Sequence, residues 1–330
     1  MTKRDNFYEL IRFGTPERIV TGPPEYGLCY MGCNHENFEG QGHHSPVGTT
    51  WVDIWGTTWH RDLEGVMGFP KAFPLEDLTK LDDFAFPDID SDEIGGQIFR
   101  MREEYDKLRA KGEYTDCILT GSHRDTLWEK AYMLVGMENL MVYIHTEPEL
   151  VKKLLHRLIN FQLKAAEKYL AAGVELVNLG DDMGTQNSLL LGKKIVREFF
   201  YPEYRRLFDF YKRENILISF HSCGHIEPLL EMFMELGVDI LNPIQSRAND
   251  LTKVRAMTQG RMALQGGISS AILMDGTKDD IEKEVRTKIE ILGREGGYIC
   301  CPDQGMPYPQ ENIDFMVEMV DKYGNFHRRG

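Results

Sequence analysis

The sequence predicts an α/β fold, a (β/α)8 TIM barrel with helical and extended additions at its N-terminus. Short apolar runs of about five residues alternate with helical stretches of ten or more, the pattern of parallel β/α units. Eight such runs are available between Tyr26 and Cys301, the number that closes a barrel. No G-x-G-x-x-G motif follows a strand, which argues against an open dinucleotide-binding sheet.

Composition bounds the partners. The 330 residues are 42% hydrophobic, enough to build one barrel domain over residues 1–330. With 38 basic against 52 acidic residues the formal charge is −14, which disfavours nucleic acid and anionic membrane surfaces and points to small molecules or other proteins. No apolar run reaches the roughly 18 residues of a membrane span, and the first residues lack the apolar core of a signal peptide, so a cytoplasmic location is expected. Six scattered cysteines do not make a disulfide scaffold, and reduced thiols are expected. Cys29 and Cys117, each inside an apolar run, read as packing residues.

In chain order, residues 1–20 read as a short helix with Phe7, Leu10, Ile11 and Phe13 at helical spacing, suited to a lid or to a homodimer contact. Tyr26–Tyr30 reads as a first strand, and the polar stretch to His43-His44 as a loop. The aromatic Trp51–Trp55 run reads as a second strand. The proline- and aspartate-rich connector from Gly68 to Asp92 reads as short capped helices, not a linker. Residues 94–111 form a helix. Strands are then expected at Cys117–Gly121, Val174–Leu179, Ile216–Phe220, Val238–Asn242, Met262–Gly266 and Tyr298–Cys301. Helices are expected over 127–144, 148–172, 193–213, 226–236, 251–258, 278–293 and 310–323, with Thr146 and Glu149 capping the second and Gly173 closing it.

Because barrel chemistry sits at strand carboxyl ends, this assignment yields the candidates. They are His35 and Glu36; Ser122, His123 and Arg124; Asp181, Asp182 and Gln186; His221, Cys223 and His225; Asn242 and Gln245; Gln265; and Cys300, Cys301, Asp303 and Gln304. The sharpest signal is Ile216-Leu217-Ile218-Ser219-Phe220-His221-Ser222-Cys223-Gly224-His225. Residues i and i+2 of a strand face the same side, so His221 and Cys223 converge if the strand persists, and zinc accepts both. Asp181 and Asp182 serve equally well as helix caps or as catalytic carboxylates. The Trp51, Trp55 and Trp59 spacing weighs toward packing, and His43-His44 toward solvent contact.

The segments Gly173–Val177 through Asp181-Asp182, Phe220–His225, Leu236–Gln245, and Gly296–Ile299 with Cys301–Pro307 and Glu311-Asn312 resemble the uroporphyrinogen decarboxylase superfamily over nearly the whole chain. Decarboxylases proper carry an arginine-rich motif, resembling R-Q-A-G-R, that binds porphyrinogen carboxylates. This chain has Tyr30-Met31-Gly32-Cys33-Asn34 there, without arginine, which counts against a polyanionic tetrapyrrole. The Asp53-Ile54-Trp55-Gly56 and Trp59 segment, with Phe73-Pro74-Leu75 and Phe86-Pro87-Asp88, resembles the O-demethylase substrate methyltransferases of the superfamily's other branch. These zinc enzymes pass a methyl group from a methoxylated compound to the cobalt of a corrinoid protein.

The resemblance implies zinc held by His221, Cys223 and a late cysteine, Cys301 being favoured over Cys300 as nearer the strand's carboxyl end. Thiol-methylating members place that cysteine where Gln304 stands here. A methyl ether is a poor donor, so zinc would serve as Lewis acid on its oxygen, Co(I) of the corrinoid (cobalamin) partner as nucleophile, and Asp182, His225 or His123 as proton donor. Asp181, Gln186, Trp59, Asn242, Gln245 and Gln304 are the expected substrate contacts. A metal-free decarboxylase, a thiol methyltransferase and a non-catalytic barrel that binds a corrinoid protein are the alternatives.

Overall fold

The computed structural model describes residues 1–34, 45–64 and 67–326. His35, Glu36, His43 and His44 lie outside the described residues. Seven strands form one parallel sheet in the order β1-β5-β6-β7-β8-β9-β10: β1 Glu25–Leu28, β5 Ile118–Asp125, β6 Leu176–Gly180, β7 Leu217–His221, β8 Ile240–Ile244, β9 Ala263–Ile268 and β10 Tyr298–Pro302. A single parallel bridge from Val20 to Ile299 ties the last strand to the segment preceding β1, curling the sheet into a barrel. The helices between the strands, including α5 (Pro148–Ala171), α7 (Tyr201–Arg213), α8 (Leu230–Leu236) and α11 (Lys278–Leu292), cover its outside.

Seven of the eight expected strand runs therefore belong to the barrel, and the Trp51–Trp55 run does not. Thr50–Val52 (β2), Thr58–His60 (β3) and Phe69–Ala72 (β4) form a separate antiparallel sheet. The cause is local. Asp53 accepts from the backbone N–H groups of Trp55 and Thr57 (2.8 and 3.0 Å) and from Trp59 Nε1 (2.9 Å), so the chain turns back at once into a hairpin. Trp51 and Trp59 then stack at 6.4 Å as opposite residues of β2 and β3. Trp55, beyond the strand, packs in the main core against Phe86 and Phe161.

The first helix, α1 (Lys3–Ile11), is neither lid nor exposed flap. Its Leu10 carbonyl accepts from Gly297 N–H (2.7 Å) and Arg4 pairs with Glu175, so it packs against the amino-terminal ends of the strands, opposite the site. The expected helix over 127–144 is two helices, α3 (Trp128–Val135) and α4 (Met137–Thr146), because Gly136 at φ 89° turns the chain between them. Thr146 does not cap α5; its hydroxyl donates to the Val142 carbonyl within α4, and Glu147 precedes α5 without a side-chain cap. The 193–213 stretch is helical but widens into a π turn at Val196–Phe200 before α7. The connector supplies one short 3₁₀ helix, Leu78–Asp82, capped by Asp77. No helix among the described residues is long and apolar enough to cross a membrane.

Strand alternation builds the core. Phe220 of β7 points outward and packs against Tyr204, Phe208 and Phe233 at 5.0–5.8 Å between ring centroids. Ser219 and His221 of the same strand point inward.

Candidate active site

The inward side chains bound a cavity of about 520 Å³ within the barrel. TIM barrels usually fill this space with branched aliphatic layers. Here Asn178 (β6), Ser219 and His221 (β7), Asn242 (β8) and Gln265 (β9) face it. Its upper wall is Trp59, Phe69 and Pro70 of the three-stranded sheet with Met67, Tyr132 and Met133. Its titratable lining is four carboxylic residues, Glu25, Asp125, Glu129 and Asp182, with Arg124 and His221.

His221 and Cys223 do converge. Hydrogen bonding continues past β7, with Ser222 N–H donating to the Asn242 carbonyl at 2.7 Å. Cys223 Sγ thus comes 3.4 Å from His221 Nε2. Gly224, at φ 83°, lets the turn cross the loop after β6, since a Cβ there would lie 2.4 Å from the Gly184 carbonyl carbon. Asp182, on that loop, completes the group: its Oδ1 accepts from Cys223 N–H at 2.8 Å and lies 3.3 Å from His221 Nε2. The three donor atoms lie within 4.8 Å of one another.

Electrostatics tie the three together. Burial alone would lower the His221 imidazolium, but the hydrogen bond and charge of Asp182 hold it above the ordinary histidine value. Burial would raise Asp182, yet the His221 contact and the Cys223 N–H hold it below the ordinary carboxylate value. Burial and the Asp182 charge push the Cys223 thiol up. His221 Nδ1 donates to Asn242 Oδ1 at 3.0 Å, which leaves Nε2 toward Asp182 and Cys223. An imidazole nitrogen, a thiol sulfur and a carboxylate oxygen within one group, the first and last on residues that line the cavity, suit a zinc ion with a free fourth position. The residues present fit that metal.

Cys301 does not join them. It lies on β10 opposite Gly267 of β9, three strands from β7, and burial pushes its thiol up to about 12 against a hydrogen bond with Gln265. From the loop after β10 it is Gln304 that reaches the group, its Nε2 lying 3.7 Å from Cys223 Sγ. The remaining candidates separate. Asn242 and Trp59 face the cavity. Gln245 is buried beneath it, accepting from Gly224 N–H at 2.8 Å. Gln186 is exposed on the loop after β6. His225 Nδ1 is engaged with the Ala248 carbonyl at 2.7 Å, away from the cavity.

Asp181 is a cap, but of the helix before it in sequence. Fully buried, it accepts from the N–H groups of Leu127 and Glu129 (2.9 and 2.7 Å) and from the Tyr204 hydroxyl, fixing the start of α3. Burial pushes its carboxyl up to about 7 against those donors and the Trp128 N–H.

His123 lies outside the cavity. Neighbours Ser122 and Arg124 face in, so it faces out, between α5 and α7, with Nδ1 donating to Gln162 Oε1 (2.6 Å) and Nε2 accepting from Tyr211. Burial lowers it from 6.5 to about 4. A histidine whose folded value is depressed costs stability once the unfolded chain can protonate. Stability should therefore fall between pH 6.5 and 4, by about 3 kcal/mol for this residue. Urea midpoints at pH 7 and 4.5 check this: the drop should shrink in His123→Gln, and an unchanged drop contradicts it.

Sequence reading found Trp59 but missed Glu129, Asp125 and the rest of the wall, Met67, Phe69, Tyr132 and Met133. A glutamate and a lysine within Leu127-Trp128-Glu129-Lys130-Ala131-Tyr132-Met133 were the available signal, since charges inside an apolar helix start are costly unless used.

The description Uroporphyrinogen decarboxylase (URO-D) fits residues 127–323 as a family model. The chain belongs to the uroporphyrinogen decarboxylase family. The uroporphyrinogen decarboxylase of Legionella pneumophila (strain Corby) is 26% identical over 196 residues, 57% of this chain and 54% of that protein. That of Helicobacter pylori (strain G27) is 24% identical over 187 residues, 54% and 50% of the two chains. The chain thus spans about half the length of the curated relatives it matches. Among solved structures, a methyltransferase from Methanosarcina mazei superposes with a TM-score of 0.72 at 15% identity, over 98% of this chain and 99% of that one. At that identity the likeness establishes the shared fold. The three-stranded sheet above the cavity precedes the part of the chain that the family model covers.

Proposed function

We propose that this protein is a zinc-dependent methyltransferase that takes a methyl group from a methoxylated aromatic compound and passes it to the Co(I) corrinoid of a partner protein. The observation that carries the reading is the Asp182, His221 and Cys223 donor set, of which Asp182 and His221 line a cavity walled by Trp59, Phe69, Tyr132 and two methionines. The fold shared with a methyltransferase supports it. The cavity's lining supports it too: four carboxylic residues with one arginine and one histidine make a poor receptor for a molecule bearing eight carboxylates.

Asp182, His221 and Cys223 would hold the metal, which when bound supplies Lewis acidity to the ether oxygen while the partner's corrinoid supplies the nucleophile. The chain's own residues do the rest. Asn242 fixes the ring orientation of His221, and the Cys223 N–H fixes Asp182. The Gln304 amide lies against the sulfur. The apolar wall packs the arene and keeps water from the reacting carbon.

The test is release of free phenol from a panel of methoxyarenes by zinc-loaded protein with a reduced corrinoid protein. At least one donor should yield phenol, dependent on both zinc and corrinoid. If none does, while uroporphyrinogen loses carbon dioxide with or without zinc, the decarboxylase activity of the curated relatives is the right reading.

A further inference from the structure

We infer that Glu129 is the proton donor of this cavity, delivering a proton to the atom that leaves from a substrate held against Asp182, His221 and Cys223; this rests on the methyl-transfer reading. The carboxyl sits in the first turn of α3 and faces the same cavity as Asp182 and His221. Its backbone is fixed by Asp181, which accepts the Glu129 N–H at 2.7 Å. Among the described residues its carboxyl has one partner, the Tyr132 hydroxyl, which donates to Oε1 at 3.2 Å and leaves the other oxygen to the cavity.

The other acids nearby are committed elsewhere. Asp125 lies 3.6 Å from Lys130 Nζ and 3.7 Å from Arg124 Nε, an ion-paired carboxylate. Asp181 is enclosed by three donors, and Asp182 belongs to the donor set. The ionisable groups facing Glu129 are Asp125 from β5, Asp181 and Asp182 from the loop after β6, His221 from β7, Cys223 from the turn after it, Tyr204 from α7 and Tyr132 from its own helix, with Arg124 and Lys130 beyond Asp125. Burial first, then the charges of Asp125, Asp182 and Asp181, raise the Glu129 carboxyl well above its ordinary value against the pull of His221. That environment favours the acid form.

The step balances. The C–O bond of the ether breaks, the methyl carbon bonds to the corrinoid nucleophile through that nucleophile's electron pair, and the ether's bonding pair stays on oxygen. Oxygen takes the proton of Glu129, leaving a phenol and a carboxylate that solvent reprotonates.

Glu129→Gln keeps the shape and removes the proton. In zinc-loaded protein at pH 7, the protonated-carboxyl infrared absorption should lose a component in Glu129→Gln while the component of Asp181 remains, with zinc content equal in both. Turnover of a methoxyarene should fall roughly 10²–10⁴-fold. Turnover of phenyltrimethylammonium, whose leaving amine needs no proton, should fall less than roughly tenfold. An unchanged band in Glu129→Gln, an equal loss on both donors, or full retention on the methoxyarene would overturn the role of Glu129 alone. A wild-type protein that demethylates no donor would overturn the methyl-transfer reading and this role with it.

Discussion

Replacing His221 by alanine or Cys223 by serine is expected to lower zinc affinity roughly 100-fold or more. A site worth about 10–16 kcal/mol spread over its three ligands assigns about 3–5 kcal/mol to each. Asp182→Asn should behave alike, because the carboxylate lies with His221 Nε2 and Cys223 Sγ inside a 4.8 Å group. Cys301→Ser should leave affinity within roughly threefold, its sulfur being turned to Gln265 on the far side of the barrel. Asn242→Ala, which frees the His221 ring, should cost roughly 10–100-fold. Competition against a chromophoric chelator measures all five. Loss of zinc in Cys301→Ser with retention in Asp182→Asn would restore the cysteine that the family resemblance implies and remove Asp182 from the site. Phenol release should fall in step with zinc occupancy.

Asp181→Ala is expected to destabilise the fold by about 3–5 kcal/mol, among the largest effects of any single change outside the aromatic core. Three buried donors, the Leu127 and Glu129 N–H groups and the Tyr204 hydroxyl, would lose their acceptor together. Asp181→Asn should cost less, since one amide oxygen still accepts. Urea unfolding followed by circular dichroism gives the difference, and a cost below about 1 kcal/mol would mean that water or a rearranged α3 satisfies those donors.

The parallel strands were legible in the sequence because each is a short apolar run between helical stretches, a signal that depends on neighbours in the chain alone. The Trp51–Trp55 run carried the same β signal and was placed in the wrong sheet. Composition says that a segment is extended, not which strand it pairs with, and Asp53 decided the matter by closing a hairpin onto Trp59. The candidate site divides along the same line. His221 and Cys223 share one strand end, so a two-residue period suffices to bring them together. Asp182 joins them through the parallel register of β6 with β7, Gly180 opposite His221, which no local pattern states. Glu129 is further removed, since its place depends on Asp181 capping a helix some fifty residues earlier. Cys301 shows the converse: being at the right end of a strand says nothing about the distance across the barrel.

The polar barrel interior divides this protein between two kinds of mutational cost. The sheet is held to its helices by outward side chains such as Phe220 with Tyr204, Phe208 and Phe233, and large-to-small changes there create cavities worth about 3–5 kcal/mol. Asn178, Ser219 and Gln265 face open space, so exchanging them removes little packing and alters only what the cavity accepts. A lineage built this way is free to try new substrates at the centre while its outer shell is kept nearly constant, and divergence within it should concentrate on the inward positions of the strands.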